Sequence, residues 1–235
     1  HDNIQLRYDI GLFNPVFEAY GGNSFGKRAA PLVVGRVVAQ IGDPESDTYS
    51  LSHKINYFGV RKGLSLGLAF ARQGTTDLFQ RNQAVGGDWL LNYGPLNIDG
   101  EYLVLSRSSY TRETALSFTT EASTAYLRIS YNIKLPKALV LEPVAAYWMF
   151  KGPMEAAAQT QALAVKAFAG EDEGLDLGFN FYFNPDLKIS LHHTWRRGAA
   201  GDAGDGVSFN NFFSQSGLGA IRRGNWLGLG LIGVF

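Results

Sequence analysis

The chain has 235 residues, and Lys plus Arg equals Asp plus Glu at 21 each, so the basic excess that a nucleic-acid binder needs is missing. No run of about 18 apolar residues occurs and the mean hydropathy is −0.07, which excludes a membrane-spanning helix and a retained signal peptide. Cysteine is absent, which removes disulfide frameworks, thiolate metal sites and cysteine nucleophiles.

What remains is period-two alternation, recurring in segments of about ten residues, the length a tilted strand needs to cross a bilayer. Ile4, Leu6, Tyr8, Ile10 and Leu12 share one face, with Gln5, Arg7 and Asp9 on the other. Residues 14–30 stay open between strand and loop. Val33, Val37, Ala39 and Ile41 then oppose Arg36 and Gln40, and SLSHKINYFG reads either as a further strand or as a long connection. Leu64, Leu66, Leu68 and Phe70 follow, then Val85, Trp89, Leu91 and Tyr93 against Asp88 and Asn92. The next strand sets Leu96, Ile98, Tyr102 and Val104 against Asn97, Asp99 and Glu101. Leu127, Ile129, Tyr131 and Ile133 oppose Arg128, Ser130 and Asn132, and ALVLEPVAAYWMF carries only Glu142 on its polar face. AAAQTQALAVKA at 156–167 reads as a short helix packed in a loop. LDLGFNFYF lines up Leu175, Leu177, Phe179, Phe181 and Phe183, and LKISLHHTW lines up Leu187, Ile189, Leu191 and Trp195. The closing segment NWLGLGLIGVF places Leu227, Leu229, Leu231 and Phe235 on one face.

The connections alternate as well. YGPL, KLPKA and FNPDL are tight turns containing proline, whereas 107–122, 151–173 and 198–224 are expected as long polar loops, with EDEG at 171–174 as an acidic outer one. The expected fold is therefore all-β: a single domain over 1–235, a transmembrane antiparallel up-and-down β-barrel with an even number of strands, ten to twelve in this chain. A soluble lipocalin-like barrel shares the alternation, but it would bury Arg7, Arg36, Arg128, Asp99, Glu101 and Lys188 in a dry core at a cost on the order of several kcal/mol per ion. A water-filled interior avoids that cost.

The blocks YDIGLFNP, GRVVAQIGDPESDTYSLSHKINYFGVRKGLSLGLAF, NYGPLNIDGEYLV and LGFNFYFNPDLKISLHHTW, in this order, resemble the phosphate-selective porin O and P family of bacterial outer membranes. The likeness covers most of residues 6–197 in scattered blocks and corresponds to the second half to two-thirds of a family member. It implies a passive channel for small hydrophilic solutes or anions, phosphate among them, in the bacterial outer membrane. Family members resemble one another as sixteen-stranded, often trimeric channels, so the chain either lacks N-terminal strands or is a compact relative. The resemblance also implies that Phe235, with Leu227, Leu229 and Leu231, is the assembly signal read by the outer-membrane insertion machinery.

A channel needs a lining and no catalytic residue. By parity the expected lining is Arg7, Arg36, Arg72, Arg128, Lys188 and Arg196, with Asp9, Asp88, Asp99, Glu101, Glu142 and Asp176 opposing them. These charges either generate a transverse field or pair across strands and hydrate the wall. Arg107 and Arg112, in the segment 107–122, are the candidates for an inward-folded constriction loop. His192 and His193 fall on opposite faces of one strand, so they do not chelate one metal together, and His193 with Trp195 suits an interfacial aromatic belt. Arg222 and Arg223 suit a basic outer rim facing lipopolysaccharide phosphates or a solvated loop. No cofactor is implied. The expected partners are outer-membrane lipids, lipopolysaccharide and the insertion machinery, with a homotrimer or an envelope-complex partner beside them. The rival readings are a non-conducting barrel that acts as a sleeve or scaffold, and a barrel-borne lipase or protease, for which no nucleophile constellation can be read from spacing.

Overall fold

The computed structural model describes residues 4–13, 30–45, 61–111, 116–184, 186–203 and 224–233. They form one antiparallel sheet of eleven strands and one short helix. The strands are β1 (Ile4–Phe13), β2 (Leu32–Asp43), β3 (Lys62–Gln73), β4 (Arg81–Tyr93), β5 (Leu96–Thr111), β6 (Leu116–Tyr131), β7 (Ile133–Lys134), β8 (Val140–Lys151), β9 (Glu171–Asn184), β10 (Leu187–Ala199) and β11 (Trp226–Gly233), with α1 at Ala156–Ala164 between β8 and β9. The order is a meander, β1-β2-β3-β4-β5-β6-β8-β9-β10-β11, in which each long strand pairs with its neighbours in sequence. β7 continues β6 past Asn132 and pairs with β8, so ten long strands make up the sheet. Among the described residues β1 pairs only with β2 and β11 only with β10. No helix of the described residues is long and apolar enough to cross a membrane.

The register carries the alternation across the whole sheet, because residues paired in an antiparallel ladder share a face. One apolar face runs from Leu6 and Tyr8 through Val37, Leu68, Val85, Val104, Leu127, Leu177 and Leu191 to Leu229. The other face carries Arg36, Asp88, Glu101, Asp99, Arg128, Asp176 and Lys188. Burial is inverted relative to a water-soluble sheet. Leu68 is 72% and Leu229 77% exposed, whereas Asn92 and Thr194 are fully buried and Glu142 is 6% exposed.

The apolar face has a defined height. It spans nine residues in each of Val85–Tyr93, Leu96–Val104, Leu175–Phe183 and Leu187–Trp195. Beyond it, at the end of the sheet bearing the β3–β4, β5–β6 and β8–β9 connections, the same face turns polar. Arg72 follows Phe70, Gln83 precedes Val85, Ser106 follows Val104, Glu173 precedes Leu175 and Arg197 follows Trp195. At the opposite end the chain reverses tightly at Gly94 (φ +60°), at the one-turn 3-10 helix Pro136–Ala138, and at Asn184, whose Oδ1 accepts the Asp186 N–H at 2.8 Å.

Two expectations about the connections change and one holds. The segment 107–122 is not a long loop: β5 continues to Thr111 and β6 resumes at Leu116, so the two form a hairpin of 16-residue strands. The acidic run 171–174 opens β9 rather than lying in a loop. The helix expected within 156–167 is present as α1. The undecided stretches, 14–30 apart from Ala30 and SLSHKINYFG at 50–59, and the terminal Phe235 lie outside the described residues.

Close approach fixes one glycine in particular. A Cβ on Gly67 of β3 would collide with the Asp88 carboxylate, which crosses above it to reach Arg36 on β2. Replacing Gly67 by Val is expected to cost about 1–3 kcal/mol through overpacking. The check is the urea midpoint of unfolding followed by tryptophan fluorescence, which should fall; an unchanged midpoint would contradict this packing.

Candidate functional site

The polar face divides into three tiers. In the middle tier opposite charges meet across strands. Arg36 Nη2 donates to Asp88 Oδ1 at 2.7 Å, spanning β3, and Arg128 Nε donates to Asp99 Oδ1 at 2.7 Å between β6 and β5. Asp176 Oδ2 lies 2.7 Å from His192 Nδ1 and also accepts the Thr194 hydroxyl, so one carboxylate is held from two positions on β10. The His192 ring meets Trp226 of β11 edge-on at 4.8 Å. Arg36 and Arg128 are half exposed, so their ion pairs contribute on the order of 1 kcal/mol or less and act mainly to cancel charge.

The tier nearest the tight turns is an amide-lined and acid-lined layer. Glu142 Oε2 accepts hydrogen bonds from Asn180 Nδ2 and from the Tyr182 hydroxyl, both at 2.8 Å, and Lys188 lies over the Tyr182 ring at 5.4 Å. The chain after β2 bends over this layer. Asn92 Nδ2 donates to the Pro44 carbonyl at 2.5 Å, and Gln40 Nε2 donates to Glu45 Oε1 at 2.7 Å.

The third tier, at the opposite end, holds the connection between β8 and β9. Its base is closed by Gly152 N–H to the Gly170 carbonyl (2.8 Å) and Gly170 N–H to the Pro153 carbonyl (2.9 Å). Between them the alanine-rich stretch AAAQTQALA forms α1, as its high helix propensity requires. The fully buried Gln159 clasps the chain after β10, donating to the Ala200 carbonyl and accepting the Ala203 N–H at 2.7 Å. At the far end of α1, Arg107 of β5 donates from Nη1 to the carbonyls of Val165 (2.7 Å) and Lys166 (3.0 Å). A cation at the C-terminus satisfies orphan carbonyls and complements the helix dipole. In the same tier, on β9 and β10, Arg196 and Asp172 form a two-pronged ion pair with side chains only 8% and 13% exposed, Nε to Oδ1 at 2.7 Å. Removing one partner of such a pair costs about 3–5 kcal/mol.

The expected lining residues separate as follows. Arg7, Asp9, Arg36, Asp88, Asp99, Glu101, Arg128, Glu142, Asp176, Lys188 and Arg196 all occupy polar-face register positions. Arg72 does not. It pairs with Val33 and Gln83 and shares the face of Leu68 and Phe70, on the polar margin beyond the apolar band. Arg107 belongs to β5 rather than to an inward-folded loop, and Arg112 lies outside the described residues. The connection lying on the polar face is instead 152–170, held by Arg107. Leu227, Leu229 and Leu231 are on the apolar face, paired with His193, Leu191 and Ile189. His193 also faces that side and stacks edge-on against Trp195 at 4.3 Å. On the outer margin the Tyr147 hydroxyl donates to Glu173 at 2.7 Å and Arg197 pairs with the same group, which together hold the Glu173 carboxyl below its usual range. Among the described residues no group of three or more His, Asp or Glu is placed to hold a metal ion.

Asp172, Gln159 and Arg107's grip on α1 are parts of the site that alternation alone does not reveal, because each depends on a contact more than twenty residues away in sequence. The chain matches no protein-family model, no curated protein and no solved structure.

Hydrogen bonds from a charged donor are worth about 1.5–3 kcal/mol each. Arg107→Ala is therefore expected to raise amide hydrogen exchange across 160–170 by about tenfold or more, with β9 from Leu175 to Phe183 unchanged. Equal exchange in both proteins would show that Arg107 does not hold the loop.

Proposed function

We propose that the chain forms the wall of an outer-membrane channel, with its apolar face in lipid, its polar face around a water-filled lumen, and the free edges of β1 and β11 joined to close an even-stranded barrel. The observation that carries this reading is the inverted sheet: a nine-residue apolar band with a polar margin on one face, and buried, mutually bonded polar groups on the other. Nine residues match a tilted strand crossing the hydrocarbon, and closure would satisfy the backbone groups that β1 and β11 otherwise leave open. The resemblance to the phosphate-selective porins agrees with this reading.

Selectivity follows from the charge balance. Within the described strands the polar-face register holds seven cations, Arg7, Arg36, Arg107, Arg128, Lys134, Lys188 and Arg196. It holds seven anions, Asp9, Asp88, Asp99, Glu101, Glu142, Asp172 and Asp176. Three of the cations pair directly with three of these anions. With a Debye length of about 8 Å, such a lining leaves short-range fields only, so the channel passes small hydrophilic solutes with at most a modest anion preference. The loop 152–170 narrows the lumen from the loop side.

A second reading, a plugged sleeve or scaffold in an envelope complex, is favoured by one observation. Material lies over the polar face at both ends, the 43–45 segment at one and α1 at the other.

Planar-bilayer recording separates the two. The channel reading expects open steps, a reversal potential in a salt gradient that is shifted only slightly toward anions, and a larger unitary conductance when residues 155–168 are deleted. Strong cation selectivity would contradict the lining assignment. Silence in both the intact chain and the deletion would establish the sleeve.

A further inference from the structure

Between the loop 152–170 and the polar face lies a cavity of about 390 Å³, within the range of small-molecule sites. Its chemistry differs from the rest of that face. Leu32, Leu105, Ala122, Phe150 and Phe168 line it, and Phe150 meets Phe168 edge-on at 6.5 Å. Phe168 is 66% exposed although it sits on the polar side of the sheet. Large apolar groups left uncovered beside water mark a surface that binds something.

Two polar groups in this cavity lack what would complete them. Arg107 spends Nε on Asn82 Oδ1 (3.2 Å) and Nη1 on the two loop carbonyls. Its Nη2 has no acceptor, and the guanidinium has no carboxylate partner, among the described residues, whereas Arg36, Arg128 and Arg196 each have one. The Phe79 ring, 5.0 Å from the guanidinium carbon, covers one side of it. Directly opposite Arg107 in the β5–β6 register stands Thr120, 6% exposed, and its buried hydroxyl has no hydrogen-bond partner. Asn82 and Lys166 complete the polar rim, while Glu121 and Ser106 occupy register positions of the other face.

A partly buried cation with no carboxylate partner among the described residues and an unsatisfied hydroxyl at one end, with two phenyl rings and aliphatic groups around them, are complementary to one kind of ligand. We propose that this cavity binds a hydrophobic monocarboxylate, with its carboxylate on Arg107 Nη2 and the Thr120 hydroxyl and its aryl or short acyl body against Phe150, Phe168 and Leu105. The carboxylate accepts from both donors, as a charge-assisted hydrogen bond requires. Inorganic phosphate fits poorly, because these two donors cannot replace the water shell of a dianion against apolar walls. The site does not depend on conduction, since the cavity exists whether the sheet conducts or is plugged.

The test uses the full chain in lipid nanodiscs, titrated calorimetrically with 3-phenylpropanoate, with 3-phenylpropanol as its neutral analogue, and with inorganic phosphate. Saturable binding of the acid is expected, at least tenfold tighter than that of the alcohol and undisturbed by millimolar phosphate. Thr120→Val, which preserves shape, should weaken the acid severalfold and leave the alcohol unchanged. Phe168→Ala, on an exposed ring, should weaken both. Arg107→Gln should abolish the preference for acid over alcohol, and folding of each variant is checked by heat-modifiable migration. Equal affinity for acid and alcohol, displacement of the acid by phosphate, or full acid affinity in Thr120→Val would each overturn the proposal.

Discussion

The antiparallel hydrogen-bond ladder, held in register across ten long strands apart from one shift between Leu187 and Lys188, is the constraint on which everything else rests. Each paired residue shares a face with its partner, so a slip of one residue would turn the Leu175–Phe183 row onto the polar side and Asp176 onto the apolar side. Both faces enforce the register. The apolar face does so by its unbroken rows, and the polar face by Arg36–Asp88, Arg128–Asp99 and Arg196–Asp172, each of which needs its neighbours in place. The same ladder explains why this chain tolerates so many charged groups on one side. Six of them meet in three ion pairs and, in the proposed lumen, the face is wetted.

The polar face is graded rather than uniform. The tier by the tight turns is rich in amides around Glu142, the middle tier is ion-paired, and the third is occupied by a loop. That loop is a small folded unit, with a helix clasped by Gln159 at one end and Arg107 at the other. Because Arg107 is both the clasp and the cation of the cavity, occupancy of the proposed carboxylate site and the position of the loop share one residue. A ligand on Nη2 leaves the Nη1 bonds to Val165 and Lys166 intact, so binding and loop retention are compatible.

Much of this was legible in the sequence because a half-buried strand writes its orientation into every second residue. The rows at Ile4–Leu12, Leu175–Phe183 and Leu227–Leu231 are strands with the expected facing, and Glu142 alone sufficed to orient β8. The reading failed where strands run past the apolar band. There both faces are polar, so Arg107, Ser108, Thr119 and Thr120 resemble a loop although they pair in β5 and β6. Arg72 is a different case: its charge suggested the lining, but it keeps the parity of Phe70 and so lies on that row's face, which is no longer apolar at that height. The clasp at the end of α1 by Arg107 was beyond reach, since its acceptors Val165 and Lys166 are 58 and 59 residues away in sequence and no local pattern joins them.

The absence of cysteine makes the central claim, one face in lipid and the other in water, directly measurable. Single cysteines placed in turn along Leu175–Phe183 and spin-labelled in reconstituted bilayers report access to oxygen, which concentrates in lipid, and to a water-soluble nickel chelate. The account predicts strict alternation, with oxygen access high at 175, 177, 179, 181 and 183 and nickel access high at the positions between them. Uniform water access along the whole strand, or oxygen access at the even positions, would contradict it.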